Sequence, residues 1–268
     1  MKVLVLGSTG MLGSQVCKSL ASEDIHYDDT NSRTFEVGKF LTSPDQYIDF
    51  LLGFDYIINC IGQIKPRFAH PDGVLNGYKI NSIFPRVMAD LCEDSSAKFI
   101  HITTDCVFSG KDGKYTESSH HDATDDYGMS KSLGEPNNCL VIRTSIIGHE
   151  VANKYSLVEW AKSQAGKQVN GFTNHSWNGL TTKELSRVMI DIMKSGRTWR
   201  GTRHIHAPND ITKDKLLKSI SDNLGLRLDI KPVEATESCD RTLRSNYNHT
   251  VRANIPTIEE MVEEMCNA

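Results

Sequence analysis

The sequence predicts an α/β fold, a doubly wound parallel sheet with a smaller interleaved C-terminal lobe. Two observations carry this. Short apolar runs alternate with amphipathic segments through the first half of the chain, the pattern of parallel strands joined by crossover helices. After about residue 148 the alternation becomes irregular, where a second lobe is expected. A chain of 268 residues is long enough for one large domain or two unequal lobes with a sizeable core.

The elements follow in order. KVLVLG (2–7) is an apolar run ending in glycine, the mark of a buried strand. Residues 11–22 place Leu12, Val16 and Leu20 on one helical face. DIHYDD (24–29) reads as a second strand, 44–52 as a helix and FDYIINCIG (54–62) as another buried strand. Ile80, Phe84, Val87, Met88 and Leu91 recur at helical spacing over 76–93. AKFIHIT (97–103) is a strand, followed by a loop rich in Gly, Ser, Asp and His. A helix opens over 127–134, and CLVIRTSIIG (139–148) is a further strand. Beyond it, helices are expected at 155–164, 182–195, 212–223 and 257–266, with a strand at 203–206.

Composition excludes some classes. The formal net charge is −4, whereas nucleic-acid binders are usually basic, so no nucleic-acid partner is expected. The start, MKVLVLGSTG, carries no secretory signature, and no run of about 18 apolar residues occurs, so neither export nor a membrane span is expected. The seven cysteines lack a CxxC spacing, and free thiols in a reducing cytoplasm are the simple reading. His204 and His206 share one strand face, but no third ligand accompanies them, so no metal is expected.

Three motifs carry chemistry. Gly7-Ser8-Thr9-Gly10-Met11-Leu12-Gly13 joins the first strand to the first helix. Gly7 permits a tight turn, Gly10 lets backbone approach a pyrophosphate at the helix N-terminus, and Gly13 lets the helix lie close on the sheet. Thr9, Met11 and Leu12 complete this candidate cofactor loop. At the end of the second strand Asp28 and Asp29 suit a ribose 2′-hydroxyl, whereas Arg33 suits a 2′-phosphate. Both signals are present; Arg33 tilts the expectation toward NADP(H), with NAD(H) left open. Second, Tyr127 and Lys131 lie at i and i+4 on one helix face. A phenol can protonate a developing alkoxide, and an adjacent ammonium brings its pKa closer to the working pH. Third, Thr104, in Thr103-Thr104-Asp105, ends strand 97–103, where a hydroxyl could stabilise an oxyanion.

In this order GSTGMLG, INCIG, INS, ITTDCVFSG, YGMSKSLGE and LVIRTS resemble the extended short-chain dehydrogenases/reductases. They are most similar to the dTDP-4-dehydrorhamnose reductase family. The likeness is strong over 1–148 and diffuse beyond. It implies a Rossmann-type lobe of 1–148 plus about 176–203, and a substrate lobe of about 149–175 plus 204–268. It implies Thr104, Tyr127 and Lys131 as the catalytic set, with Cys60, Ile61, Gly62 and Asn81 supporting the cofactor. Lys65, Arg67, Val107, Phe108, Trp177, Asn178 and Arg241 become candidates for a nucleoside-diphosphate sugar. Of these, Arg241 is the first candidate for the diphosphate. Arg143 reads as a paired structural arginine. Cys106 stands where the family's hallmark has tyrosine.

The reaction this implies is NAD(P)H-dependent reduction of a keto group on a sugar nucleotide, C4 of a 4-keto-6-deoxyhexose first. It would serve deoxysugar or surface-polysaccharide precursor synthesis. An epimerase or dehydratase of the same superfamily is the second expectation, and a non-catalytic NADP-binding regulatory subunit the third. A homodimer is compatible with each.

Overall fold

The computed structural model describes residues 1–151, 154–247 and 254–267. The chain opens with β1 (Val3–Leu6), α1 (Met11–Ser22), β2 (Tyr27–Thr30), α2 (Val37–Thr42), α3 (Ile48–Leu51) and β3 (Tyr56–Asn59). It continues with α4 (Gly73–Tyr78), α5 (Phe84–Glu93), β4 (Lys98–Thr104), α6 (Asp126–Leu133), β5 (Leu140–Thr144) and β6 (Ile146–Ile147). The C-terminal third holds α7 (Leu157–Ser163), β7 (Gln168–Phe172), β8 (His175–Trp177), β9 (Leu180–Thr181), α8 (Thr182–Lys194) and β10 (Gly201–His204). It closes with β11 (Ile211–Thr212), α9 (Lys213–Asn223), β12 (Asp229–Val233), β13 (Cys239–Asp240) and α10 (Ile258–Cys266).

Six parallel strands form the main sheet in the order β10-β5-β4-β3-β1-β2. Both faces are covered because successive residues of a strand point opposite ways. Val3 and Val5 enter one core with Val16, Leu20 and the apolar face of α8. Leu4 and Leu6 enter the other with Phe35, Phe40, Phe84 and Met88. The strand order reverses between β2 and β3 about β1, which opens a crevice at the carboxyl ends of β1 and β3. Smaller sheets, β11-β8-β13 and β12-β7, build the C-terminal lobe, while α8 packs on α1 and β10 joins the main sheet.

Several expected elements differ for local reasons. The helix expected at 44–52 is a 3-10 turn opened by Pro44, then only α3. The helix expected at 76–93 begins at Gly73 and widens into a π turn at Lys79–Ile83. Pro85 has no N–H to give the Asn81 carbonyl, so an unbroken α-helix cannot pass this point without losing a bond. The 139–148 run divides, with β5 in the main sheet and β6 paired to β9. The strand expected at 203–206 is β10, which ends at His204. His206 therefore lies outside it and bonds the Ala207 carbonyl.

Arg143, from the centre of β5, is 2% exposed and ties the body to the C-terminal third. Its guanidinium forks onto both Glu135 oxygens, with Nε to Oε1 at 3.0 Å. It also donates to His204 Nε2 and His121 Nε2, each at 2.7 Å. His204 passes the link on, its Nδ1 donating to the Arg244 carbonyl at 2.7 Å. The expected paired arginine is thus a junction. Removing one partner of a buried, hydrogen-bonded ion pair strands the other and costs about 3–5 kcal/mol. Arg143→Met should lower the urea midpoint by that equivalent, read by circular dichroism. An unchanged midpoint would show the junction to be dispensable.

Candidate active site

The crevice is a cleft of about 950 Å³. Gly7, Thr9, Gly10, Met11 and Leu12 form one wall, Cys60, Ile61, Gly62 and Arg67 another, and Thr104, Tyr127 and Lys131 lie deeper along it. Gly7 has φ +87°, a left-handed conformation that disfavours any side chain. A methyl group on Gly13 would overlap the Gly7 carbonyl, so this glycine lets α1 seat against the loop. No side chain caps α1, so its first amides face the cleft without a capping partner and suit an anion.

The floor depends on a buried pair that the sequence does not advertise. Asn59 Oδ1 accepts the Ile61 N–H at 3.0 Å, and Asn59 Nδ2 lies 3.0 Å from His101 Nδ1. The amide is the donor there, which leaves the His101 proton on Nε2. Burial, then the Lys131 charge, holds His101 well below the usual histidine range. It therefore stays a neutral acceptor.

Tyr127 is held from several sides. Asp125 caps α6 by accepting the Gly128 N–H at 2.9 Å, and Lys65 donates to Asp125 at 3.0 Å. Phe68, on the 3-10 turn 65–69, meets the Tyr127 ring edge-on at 6.0 Å. A side chain at Gly77 would overlap that Phe68 ring. Asn81 brackets Gln63, accepting its N–H at 2.8 Å and donating to its carbonyl at 3.0 Å. The same Asn81 amide donates to Ser130 Oγ at 3.1 Å, and Ser130 donates to the Tyr127 carbonyl at 2.8 Å. Gly134 is needed because a methyl group there would strike the Asn81 carbonyl. Asn81 is thus a brace behind the cleft, not one of its walls.

Lys131 is 6% exposed and donates to the Ile102 carbonyl at 3.1 Å. Burial lowers its pKa to about 8. Burial also pushes the Tyr127 phenol well above its ordinary value, and Cys106, Asp105 and Asp125 add to the shift. The expected lowering of Tyr127 by Lys131 is therefore corrected: desolvation outweighs it, and the ammonium is engaged below. Thr104 Oγ1 donates to Asp105 Oδ1 at 3.1 Å and accepts the Cys106 N–H at 3.2 Å.

Other expected site residues lie elsewhere. Asp28 points away from the glycine loop toward Lys2 Nζ, 3.5 Å distant. The strand runs to Thr30, so Asn31 and Ser32 reach the cleft instead, while Asp29 accepts from Ser8. Arg33 is exposed beside them and does not line the cleft. Val107 and Phe108 are fully buried with Tyr115 and Leu243, Phe108 stacking on Tyr115 at 4.2 Å, so they are core and not substrate contacts. Trp177 is core, and Asn178 is a buried brace that donates to the Leu243 carbonyl at 3.0 Å and accepts its N–H at 2.9 Å. Arg241 does not hang free. It donates to the Phe108 carbonyl at 2.8 Å, the Ser109 carbonyl at 3.4 Å and Cys106 Sγ at 3.7 Å. Lys79, Phe35 and Glu36 also line the cleft without having been singled out. Their one available signal was position, just past β2 and on the helix after β3.

The family model described as the RmlD substrate binding domain matches residues 1–262. A probable low-salt glycan biosynthesis reductase of Haloferax volcanii is 24% identical over 249 residues, covering 84% of this chain and 81% of that protein. The methionine adenosyltransferase 2 subunit beta of Danio rerio is 25% identical over 246 residues, covering 84% and 74%. The crystal structure of dTDP-4-dehydrorhamnose reductase from Bacillus anthracis in complex with NADP superposes with a TM-score of 0.82 at 20% identity, covering 98% of each chain.

Lys131 offers a test that needs no ligand. Its ammonium loses its proton as pH rises through about 8, whereas an unfolded lysine keeps it to about 10.4. Between those values the unfolded chain binds more protons, so this group favours the fold increasingly as pH rises. Stability measured from pH 7 to 10 should fall relative to wild type with rising pH in a Lys131→Met variant, which lacks the linkage. Parallel curves would place the Lys131 titration elsewhere.

Proposed function

The chain belongs to the RmlD substrate binding domain family, and from that premise we propose that it reduces a keto group on a nucleoside-diphosphate sugar with NAD(P)H. C4 of a 4-keto-6-deoxyhexose is the favoured position. The observation that carries this reading is one cleft uniting a glycine turn, an uncapped helix N-terminus and the Thr104, Tyr127 and Lys131 side chains. The glycines let the loop pack on Cys60 and Ile61 and seat α1 against it, leaving uncapped helix amides at the cleft, so the residues present fit a dinucleotide. Gly7, Thr9, Gly10, Met11 and Leu12 would hold its diphosphate, and Asn31 and Ser32 its adenosine ribose. Bound there, the dinucleotide supplies the hydride.

The chain's own residues do the rest. Tyr127 is neutral at physiological pH, as any phenol is, and burial raises its pKa further, so it holds the proton that the ketone oxygen needs. Lys131 keeps its charge below about pH 8 and stands one helical turn away, suited to a ribose hydroxyl. Arg67 and Lys79 are exposed on the cleft walls and present positive charge to anionic ligands. The C-terminal third closes the sugar-nucleotide side, its lobe formed around the β11-β8-β13 and β12-β7 sheets. NADP(H) is preferred over NAD(H), since Arg33 stands beside Asn31 and Ser32 and Asp28 is turned away.

Purified protein with NADPH and a panel of 4-keto-6-deoxy sugar nucleotides should oxidise the cofactor with at least one of them. Tyr127→Phe should slow turnover by about 10² to 10⁴ while NADPH still binds. Wild-type turnover in that variant would overturn the acid assignment. Cofactor choice has its own check. Arg33→Ala should weaken NADPH more than NADH in paired titrations, and equal weakening would remove Arg33 from the site.

A further inference from the structure

The proton of a phenol lies in the plane of its ring, so the ring plane of Tyr127 sets where that proton points. The torsion that turns a tyrosine ring is broad and holds no plane by itself. A neighbour must hold it, and Phe68 has the geometry to do so. Its ring stands 6.0 Å from that of Tyr127 at 82°, the edge-to-face arrangement that aromatic pairs favour. Phe68 does not line the cleft; it reaches Tyr127 from the side of α4.

We propose that Phe68 is a positioning residue for Tyr127, seated by Gly73 and Gly77 of α4 so that its ring fixes the plane of the phenol. This rests on the reductase reading above.

The seat is built against local preference. α4 spans six residues and two of them are glycine, which favours a helix least after proline. Gly73 and Gly77 stand four apart, on one helical face. A methyl group on Gly73 would overlap the Arg67 carbonyl and press on that of Phe68. One on Gly77 would overlap two carbons of the Phe68 ring. Both glycines therefore clear space for the same two residues. The segment that bears them is pinned on either side. Gln63 donates to the Gly73 carbonyl at 2.6 Å and is bracketed by Asn81. Lys65 donates to Asp125, which caps the helix of Tyr127. All these partners belong to the chain itself, so the plane of Tyr127 is fixed before any ligand enters.

Gly77→Ala tests this without altering either ring. Alanine suits a helix better than glycine, so the change acts through the ring it displaces. kcat should fall about 10- to 100-fold, the scale of loss when a reacting group shifts by up to about 1 Å. KM and the NADPH dissociation constant should stay close to wild type, because neither Phe68 nor Gly77 lines the cleft. Phe68→Ala should lose as much. Combining Phe68→Ala with Gly77→Ala should be no slower than Phe68→Ala alone, since the new methyl group then has no ring to displace. The next atom it would meet, Gln63 Nε2, lies 3.2 Å away. Phe68→Leu fills the seat without a ring edge. It should keep the thermal midpoint near wild type yet lose kcat, which separates placement from packing. Gly77→Ala and Phe68→Leu carry the test if Phe68→Ala does not fold.

A second measurement needs no substrate. Tyrosinate absorbance, taken as wild type minus Tyr127→Phe, follows the Tyr127 phenol alone. Burial, then Cys106, Asp105 and Asp125, hold that phenol well above its ordinary range. Those three groups remain in the Phe68 and Gly77 variants, so a change reports the Phe68 side. In Gly77→Ala and Phe68→Ala water reaches the ring, and its ionisation should move down toward about 10. An unchanged titration, multiplying losses in the double variant, or wild-type kcat in Gly77→Ala would each overturn the proposal. A wild type that turns over no sugar nucleotide while the titration still shifts overturns the reductase reading and upholds the placement of the ring.

Discussion

A guanidinium with no access to water must be neutralised where it stands, and Arg143 meets that demand at the centre of the fold. Its fork onto Glu135 fixes the segment just after α6, the helix that bears Tyr127 and Lys131. Its bonds to His121 and His204 require both imidazoles to accept, hence to be neutral. Burial lowers both histidine pKa values, with the Arg143 charge acting in the same direction, and carries His204 to about 4. The ring of Phe108 lies under the guanidinium at 5.1 Å. One buried charge therefore specifies the protonation of two histidines and the place of the loop after β4. Such a junction is weak evidence for net stability, since apolar replacements of similar shape are often tolerated. Its stronger consequence is geometric: β5, β10, the end of α6 and the loop after β4 cannot shift independently.

Around that junction the cleft is built by close backbone approach. Gly13 brings α1 onto Gly7, Gly77 admits Phe68, and Gly134 brings the end of α6 onto Asn81. Each glycine removes a side chain where another group must enter: at Gly13 and Gly134 backbone meets backbone, and at Gly77 an aromatic ring fills the space. The π turn at Lys79–Ile83 serves the same end. It accommodates Pro85 and leaves the Asn81 carbonyl to face Gly134, while the Asn81 amide holds Gln63 and Ser130.

Much of the main sheet was legible in the sequence, because buried parallel strands are continuous apolar runs and each is followed by a helical period. Met11–Ser22 could be read residue for residue. The cleft's glycine turn and its Tyr–Lys helix face were legible too, since their spacing and their position after strands together place them at the cleft. What was not legible depends on where a strand stops. The second strand runs to Thr30, one residue past its expected end, and that moves the cleft from Asp28 to Asn31 and Ser32. Polar residues also mislead about exposure. Asn178 and Arg241 hold backbone, because tertiary partners from more than 60 residues away claim their hydrogen bonds. The small strands of the C-terminal third are too short to show a period.

The C-terminal third influences the cleft mainly by holding the turn after β4. Arg241 grips the carbonyls of Phe108 and Ser109, Tyr115 pairs with Leu243, and Asn178 secures Leu243 in turn. Gly110 and Gly113 both have positive φ and fold close against Asp240. The turn that carries Asp105 and Cys106 is therefore clamped between β4 and a segment that arrives more than 130 residues later. Anything that shifts the 239–244 segment must shift the turn after β4 that Arg241 grips. Asn178 and Arg241 act on the cleft through the backbone they hold. The exposed Arg67 and Lys79 on the cleft walls stand outside this set of contacts, so they can vary without disturbing the clamped turn.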